Sequence, residues 1–405
     1  MQVFAKTSTK GAPPYKRWLF IFLGIIIMMF LGTVYSYSVF RVALEEEFQL
    51  GASESGLPYM FALTFYAVFM LIIGKYMRTF HPRTLILFGG MLVATSWVLA
   101  SFSPNIYLLT ISYGLVGGAG VGIAYGVMMN VIAQWFPDKK GLASGLVLLG
   151  FGLSPLVTAP VARLLVEQFG VMDTFLIMGI SFAVILPFLS VSFKYPNADD
   201  VAPYLNKTVT DDLSENLTSN EMLKTKSFKG IYLNFIIGTL IGLMLVGMTL
   251  SVGVEYFHLD AATVTGLMAL FAVFNGLGRP TFGWLTDHYS ARFSMLLSYL
   301  LIMTAALSLI LFHQYAIVYP IAFSIFWFNL GGWLAIAPTA TLKHYGMWHY
   351  SQNYGLVFTA YGIGAIIGVL SSGMMIDVFG NYQYIFYYVI VLCVLGMGIT
   401  RKYIK

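Results

Sequence analysis

Gly283-Trp284-Leu285-Thr286-Asp287, with Arg292 beyond it, ends one long apolar run of this chain. Gly74-Lys75-Tyr76-Met77-Arg78, with Arg83 beyond it, ends another. A second pair of stretches recurs at nearly the same separation: Asp138-Lys139-Lys140-Gly141-Leu142-Ala143-Ser144-Gly145 and Ser351-Gln352-Asn353-Tyr354-Gly355. Two recurrences at similar offsets point to a duplicated unit. Whatever apolar segments the chain holds should divide evenly between the two copies.

The composition says what those segments are. The 405 residues are 59% hydrophobic and only 10% charged, too apolar for a soluble globular domain. A helix needs about 20 apolar residues to cross a bilayer. Twelve runs qualify: 18–40, 54–77, 83–102, 105–130, 141–168, 172–193, 228–252, 261–285, 292–312, 316–341, 351–376 and 381–401. A β-barrel would show short alternating segments instead. The first run is too long for a signal-peptide core and no small-residue cleavage site follows it, so it is expected to stay as a span. The expected fold is an all-α membrane protein of twelve transmembrane helices in two pseudo-symmetric six-helix bundles. Residues 1–193 form the first bundle, 194–227 a polar cytoplasmic linker and 228–405 the second bundle.

Charge sets the orientation. Every Lys and Arg falls in the terminal segments or in alternate connections, except Arg41, Arg163 and Arg279. Cytoplasmic loops carry the excess of Lys and Arg, so both termini are expected in the cytoplasm of a multi-pass cell-membrane protein. The net charge of +5 follows from that topology and implies no nucleic-acid partner. The single Cys393 excludes an internal disulfide and a cysteine metal site, and no metal or cofactor is expected. The sequence carries no His-Glu-x-x-His, no Walker loop and no catalytic dyad within a span, which argues against an enzyme. The glycine run Gly117–Gly126 follows no strand, so it is read as helix packing and not as a nucleotide loop.

Arg279, in Phe271-Ala272-Val273-Phe274-Asn275-Gly276-Leu277-Gly278-Arg279-Pro280, is the one charge placed inside the apolar spans. A charge at the bilayer centre costs about 2.5–3.5 kcal/mol on insertion scales. The Asp and Glu residues that fall within the twelve runs, Glu54, Glu167 and Asp173, stand at or near their ends. None is placed to pair with it, so the expected partner is a small organic anion that comes and goes. Asn275 stands four residues earlier, on the same helix face. The arginine fork matches a carboxylate in bidentate fashion, and Asn275 can add a neutral donor.

Two parallel six-helix halves around a midplane site are the architecture of the major facilitator transporters, and these motifs resemble that superfamily. The stretch Gly117–Gly126, then Asn130, Trp135-Phe136-Pro137-Asp138-Lys139-Lys140-Gly141-Leu142-Ala143-Ser144-Gly145, Phe274-Asn275-Gly276 with Arg279-Pro280, and Asn353-Tyr354-Gly355 narrow the resemblance. They look like the oxalate/formate antiporter branch, related to the monocarboxylate transporters of lactate and pyruvate. The resemblance implies alternating access around Arg279. It makes Gly283, Asp287 and Arg292 a gating loop motif, in which Asp287 caps a helix start and pairs with basic loops. Arg78 stands where the first copy should hold that Asp. The resemblance also places Tyr35, Tyr125, Phe151 and Phe358 around the substrate, while two further family aromatics fall at Leu330 and Leu334. A span-11 lysine of the oxalate carriers falls at Tyr361.

Tyr361 bears on the substrate. One fixed positive charge balances one carboxylate, and a dianion would leave net charge in a low-dielectric site. A small monocarboxylate such as lactate, pyruvate or formate is therefore expected, with Tyr361 offering a hydroxyl. A dicarboxylate–monocarboxylate antiporter is the alternative, and a non-transporting membrane sensor a third reading. Glu255 and Asp260 sit too far out for a proton relay, and the six histidines fall in or near loops. Proton symport with H+ carried alongside the substrate, exchange and uniport all stay open. A monomer is expected, since one pair of bundles encloses a complete site.

Overall fold

A computed structural model describes residues 14–77, 79–136, 140–204, 216–346 and 348–404. Eleven helices in it are long and apolar enough to cross a membrane. They are α1 (Arg17–Phe48), α2 (Ala52–Gly74), α3 (Pro82–Ser101), α4 (Ile106–Trp135), a double-length helix Ala143–Ser190, α7 (Lys226–Gly247), α8 (Ala261–His288), α9 (Ala291–Leu311), α10 (Val318–Tyr345), α11 (Gln352–Phe379) and α12 (Gln383–Tyr403). The double-length helix breaks at Gly170, whose φ of 82° and ψ of 168° lie outside the helical region. A glycine adopts that conformation without a Cβ penalty. The break divides the helix into α5 (143–169) and α6 (171–190), and the number of crossings is the expected twelve.

Polar caps mark where several spans begin. Asp260 accepts from the Thr263 N–H at 2.8 Å at the start of α8, and Ser290 accepts from the Phe293 N–H at 3.1 Å at the start of α9. Such caps satisfy N–H groups that have no partner inside the helix, worth about 1 kcal/mol each. The expected first span, 18–40, runs on to Phe48 because a 3₁₀ turn at Gly32–Ser36 bends α1 without ending it.

Glycines set how closely the spans pack. A Cβ on Gly120 of α4 would lie 2.6 Å from the Gly89 carbonyl oxygen of α3, so only a glycine allows this approach. The two halves meet along α5 against α8 and α2 against α11. The end of the linker docks on the second half. Asn353, fully buried, donates to the Leu217 carbonyl at 2.9 Å and accepts from the Ser219 hydroxyl at 2.9 Å. The part of the linker at 205–215 lies outside the described residues, as do Arg78 and Asp138.

The two ends of the bundle differ. On the terminal side, where residues 14 and 404 lie, a cavity of about 1140 Å³ opens between the halves. The far side is closed. There Arg41, one of the three basic residues that fall outside the terminal segments and alternate connections, is buried within α1. Its guanidinium donates to Glu45 at 3.1 Å, to the Ser55 hydroxyl at 3.0 Å and to the Ala52 carbonyl at 2.6 Å. It also reaches the Gly247 carbonyl of α7 at 3.4 Å, across the halves. Asp377 of α11 accepts from the Ala52 and Ser53 amides at 2.9 and 3.0 Å, a second tie between the halves.

Candidate substrate site

Arg279 and Tyr125 line the cavity, together with Leu334 and Tyr354. Arg279 sits in mid-helix on α8 and is 3% exposed. Its Nε and Nη1 are buried without a hydrogen-bond partner. Nη2 makes one long contact, donating to Asn275 Oδ1 at 3.5 Å. Among the described residues no carboxylate forms an ion pair with it. A buried guanidinium with two donors that no protein group fills is suited to receive an anion, because an unpaired buried charge is costly. Pro280 follows it inside α8 and has no N–H to donate to the carbonyl one turn back, which leaves polar backbone beside the site.

Room for that anion depends on α5. A Cβ on Gly152 would stand 2.7 Å from Asn275 Oδ1 and 3.4 Å from Arg279 Nε and Nη2. Glycine at this position leaves one edge of the fork uncovered. Asn275 is fully buried, and its Nδ2 donates to the Trp327 carbonyl of α10 at 3.0 Å.

The other residues expected at the site form an aromatic floor beyond the cavity. Tyr35 and Phe151 pack edge to face at 5.1 Å, and Tyr125 packs on Phe151 at 5.7 Å and on Phe358 at 6.3 Å. Phe358 stacks on Tyr361 at 5.0 Å. The Tyr35 and Tyr361 hydroxyls hydrogen-bond at 3.1 Å, joining α1 to α11. In this conformation Tyr361 is fully buried in the floor, and of the expected group Arg279 and Tyr125 face the cavity. Leu334 lines the cavity wall, whereas Leu330 packs against Gly242 of α7.

Sequence reasoning missed two residues here. Tyr66 of α2 sits at the centre of the floor, 5.1 Å from Tyr125, 5.9 Å from Phe151, 5.3 Å from Phe358 and 5.6 Å from Tyr361. Trp327 holds Asn275. In a chain with 26 Tyr and seven Trp, nothing local distinguishes either one. Tyr350 and Tyr354 also line the cavity, and their rings stack at 5.7 Å.

The loop motif is arranged differently from expectation. Asp287 lies in the last turn of α8 and does not cap α9, a role that Ser290 fills. Lys343 of α10 donates to the Thr286 and Asp287 carbonyls at 2.8 Å each and approaches Asp287 Oδ1 at 3.7 Å. A cation thus caps the α8 C-terminus, where the helix dipole favours it. Gly283 and Asp287 line the cavity mouth, and Arg292 is exposed in the first turn of α9.

The outer carboxylates stand apart from the site. Asp260 accepts from the Thr263 hydroxyl and amide, and these bonds hold its carboxyl below the usual range. Burial raises the Glu255 carboxyl, which accepts from the Tyr382 hydroxyl at 3.0 Å.

Comparison with known proteins identifies the family and the fold. The family model described as Major Facilitator Superfamily matches residues 21–347 and 240–404. The chain is 28% identical over 359 residues to the oxalate:formate antiporter of Oxalobacter formigenes, covering 87% of this chain and 83% of that protein. It is 25% identical over 331 residues to monocarboxylate transporter 12 of Mus musculus, covering 73% of this chain and 66% of that protein. Among solved structures, a bacterial homologue of the human lysosomal transporter Spinster, inward-facing and unoccupied, aligns with a TM-score of 0.72 at 14% identity. That alignment covers 98% of this chain and 99% of the other.

Proposed function

The chain belongs to the Major Facilitator Superfamily, which makes it a membrane transporter and not an enzyme, and we propose that it carries a small monocarboxylate by alternating access. Lactate, pyruvate and formate are the acids that fit best. The observation that carries this reading is the Arg279 guanidinium in the cavity lining, with Nε and Nη1 buried and unpartnered by any protein group. A carboxylate accepts from two guanidinium N–H groups at once and neutralises the charge.

The number of charges selects the substrate. Tyr361 stands where the oxalate carriers hold a second cation, so a dianion would leave one negative charge uncompensated. The aliphatic side chains of Leu146, Leu149 and Leu334 on the cavity wall suit a short apolar tail. The alternative is a dicarboxylate–monocarboxylate exchanger, favoured by the likeness to the oxalate:formate antiporter. In that case neutral hydroxyls replace the second cation.

The excess of Lys and Arg in the connections on the terminal side supports a cytoplasmic position for that side, and with it for the open cavity. Residues 1–193 and 228–405 are the two rocking units, joined by the linker 194–227, and one chain holds a complete site. Loading at Arg279 from the cytoplasmic cavity precedes parting of Tyr35 from Tyr361 and of the Arg41 and Asp377 ties on the far side. Asn275 occupies the helix face beside Arg279 without a titratable group, so no proton relay is assigned to that helix face, and symport, exchange and uniport fit it alike.

Counterflow tests the reading. Proteoliposomes loaded with lactate should accumulate labelled external lactate, and unlabelled pyruvate should compete while oxalate in excess should not. Competition by oxalate, or movement of oxalate without lactate, would replace the monocarboxylate reading with the exchanger.

A further inference from the structure

Asn275 is held by a chain of contacts that leads away from the cavity. Its Nδ2 donates to the Trp327 carbonyl at 3.0 Å, and the Trp327 indole Nε1 donates to Thr249 Oγ1 at 3.2 Å. Thr249 is fully buried and sits where α7 breaks. Met248 departs from helical dihedrals at φ −113° and ψ 9°, and a π-helical turn follows at Val252–Tyr256. Such irregular turns must find their hydrogen bonds elsewhere within a membrane.

Thr249 supplies them. Its hydroxyl donates to the Leu245 and Val246 carbonyls at 3.1 and 3.0 Å while accepting from the indole. Its own carbonyl accepts from the Tyr319 hydroxyl at 2.8 Å. Two bonds therefore fasten the α7 break to α10. Two residues before Thr249, the Gly247 carbonyl accepts from Arg41 across the halves at 3.4 Å. The polar contacts run from the far-side closure at Arg41, through the break, to Trp327, Asn275 and Arg279.

We infer that Thr249 is a positioning residue for anion binding: by accepting from the Trp327 indole it fixes α10 on the α7 break, and so fixes the carbonyl that orients Asn275 beside Arg279. The premise is the reading above, with Arg279 as the seat of the carboxylate. The role needs an acceptor at Oγ and not merely the shape of threonine. Valine keeps the shape and leaves the buried indole N–H unsatisfied, so α10 shifts to find it a partner. Serine keeps the acceptor.

Thr249→Val, Thr249→Ser and Arg279→Gln should be reconstituted at equal folded amounts, checked by gel filtration, and compared in lactate counterflow. Thr249→Val is expected to raise KM about tenfold with the maximal rate unchanged, and Thr249→Ser to stay within about twofold of the parent. The role is refuted if the valine variant keeps the parent KM or loses only maximal rate or folded protein. It is refuted equally if serine is as impaired as valine, since packing alone then explains the loss. Arg279→Gln separates the levels. If it transports normally, the seat itself is wrong and the role of Thr249 falls with it. If it is inactive while Thr249→Val is normal, only the role of Thr249 is lost.

Discussion

Arg279→Gln is expected to lower kcat/KM for lactate by about a hundredfold or more and to leave the empty protein folded and at least as heat-resistant. A hydrogen bond to a charged group is worth about 1.5–3 kcal/mol. Two such bonds to one carboxylate are worth about 3–6 kcal/mol, and each 1.4 kcal/mol is about a factor of ten. The empty parent has an Arg279 with two buried donors unsatisfied. Glutamine removes that unpaired charge, so stability has no reason to fall. Counterflow gives the first quantity and the melting temperature in detergent gives the second. An inactive variant that also melts far below the parent would make Arg279 a structural residue.

Tyr361→Lys is expected to change the preferred charge of the substrate. The lysine ammonium would enter the fully buried floor in place of a hydroxyl bonded to Tyr35 at 3.1 Å. With two cations and no anion, the empty site repels itself, so the melting temperature should fall. A dianion relieves that repulsion at both cations. Oxalate counterflow should appear, and lactate KM should rise by about tenfold, the cost of leaving one buried cation unpaired being of order 1–3 kcal/mol. Oxalate should also restore the lost melting temperature, because a ligand bound to the folded state stabilises it. A variant that carries lactate as the parent does and ignores oxalate would show that Tyr361 does not face the substrate in any conformation of the cycle.

The sequence carried the fold because lipid leaves little choice. A backbone in hydrocarbon must satisfy its own polar groups, so each long apolar run had to be a helix, and the repeated loop motifs had to mark equivalent ends. Local geometry was harder to read. Gly170 separates two spans that otherwise continue as one helix, and a glycine in an apolar run gives no sign of its φ. The burial of Arg41 was not legible, because only its i+4 partner Glu45 could be read from spacing, while Ser55 and the Ala52 and Gly247 carbonyls reach it through packing.

The same distinction runs through the site. Arg279 stood out because a charge in an apolar span is rare, and Asn275 followed from helical spacing. The structure brings these two together with Gly152 and Tyr125. Tyr66 and Trp327 were invisible because their placement depends on how α2 and α10 pack, and no local pattern separates them from other rings. The Asn353-Tyr354-Gly355 stretch was noticed as a motif, yet the structure gives Asn353 a task that only packing reveals, holding the linker end at Leu217 and Ser219.

The most direct test is to measure lactate and oxalate affinities on the purified protein by titration calorimetry at neutral pH in one buffer. A site with a single fixed cation should bind lactate tighter than oxalate by about tenfold or more, since the second carboxylate has no charge to meet. Equal or tighter oxalate binding would contradict the single-cation site and the monocarboxylate assignment built on it.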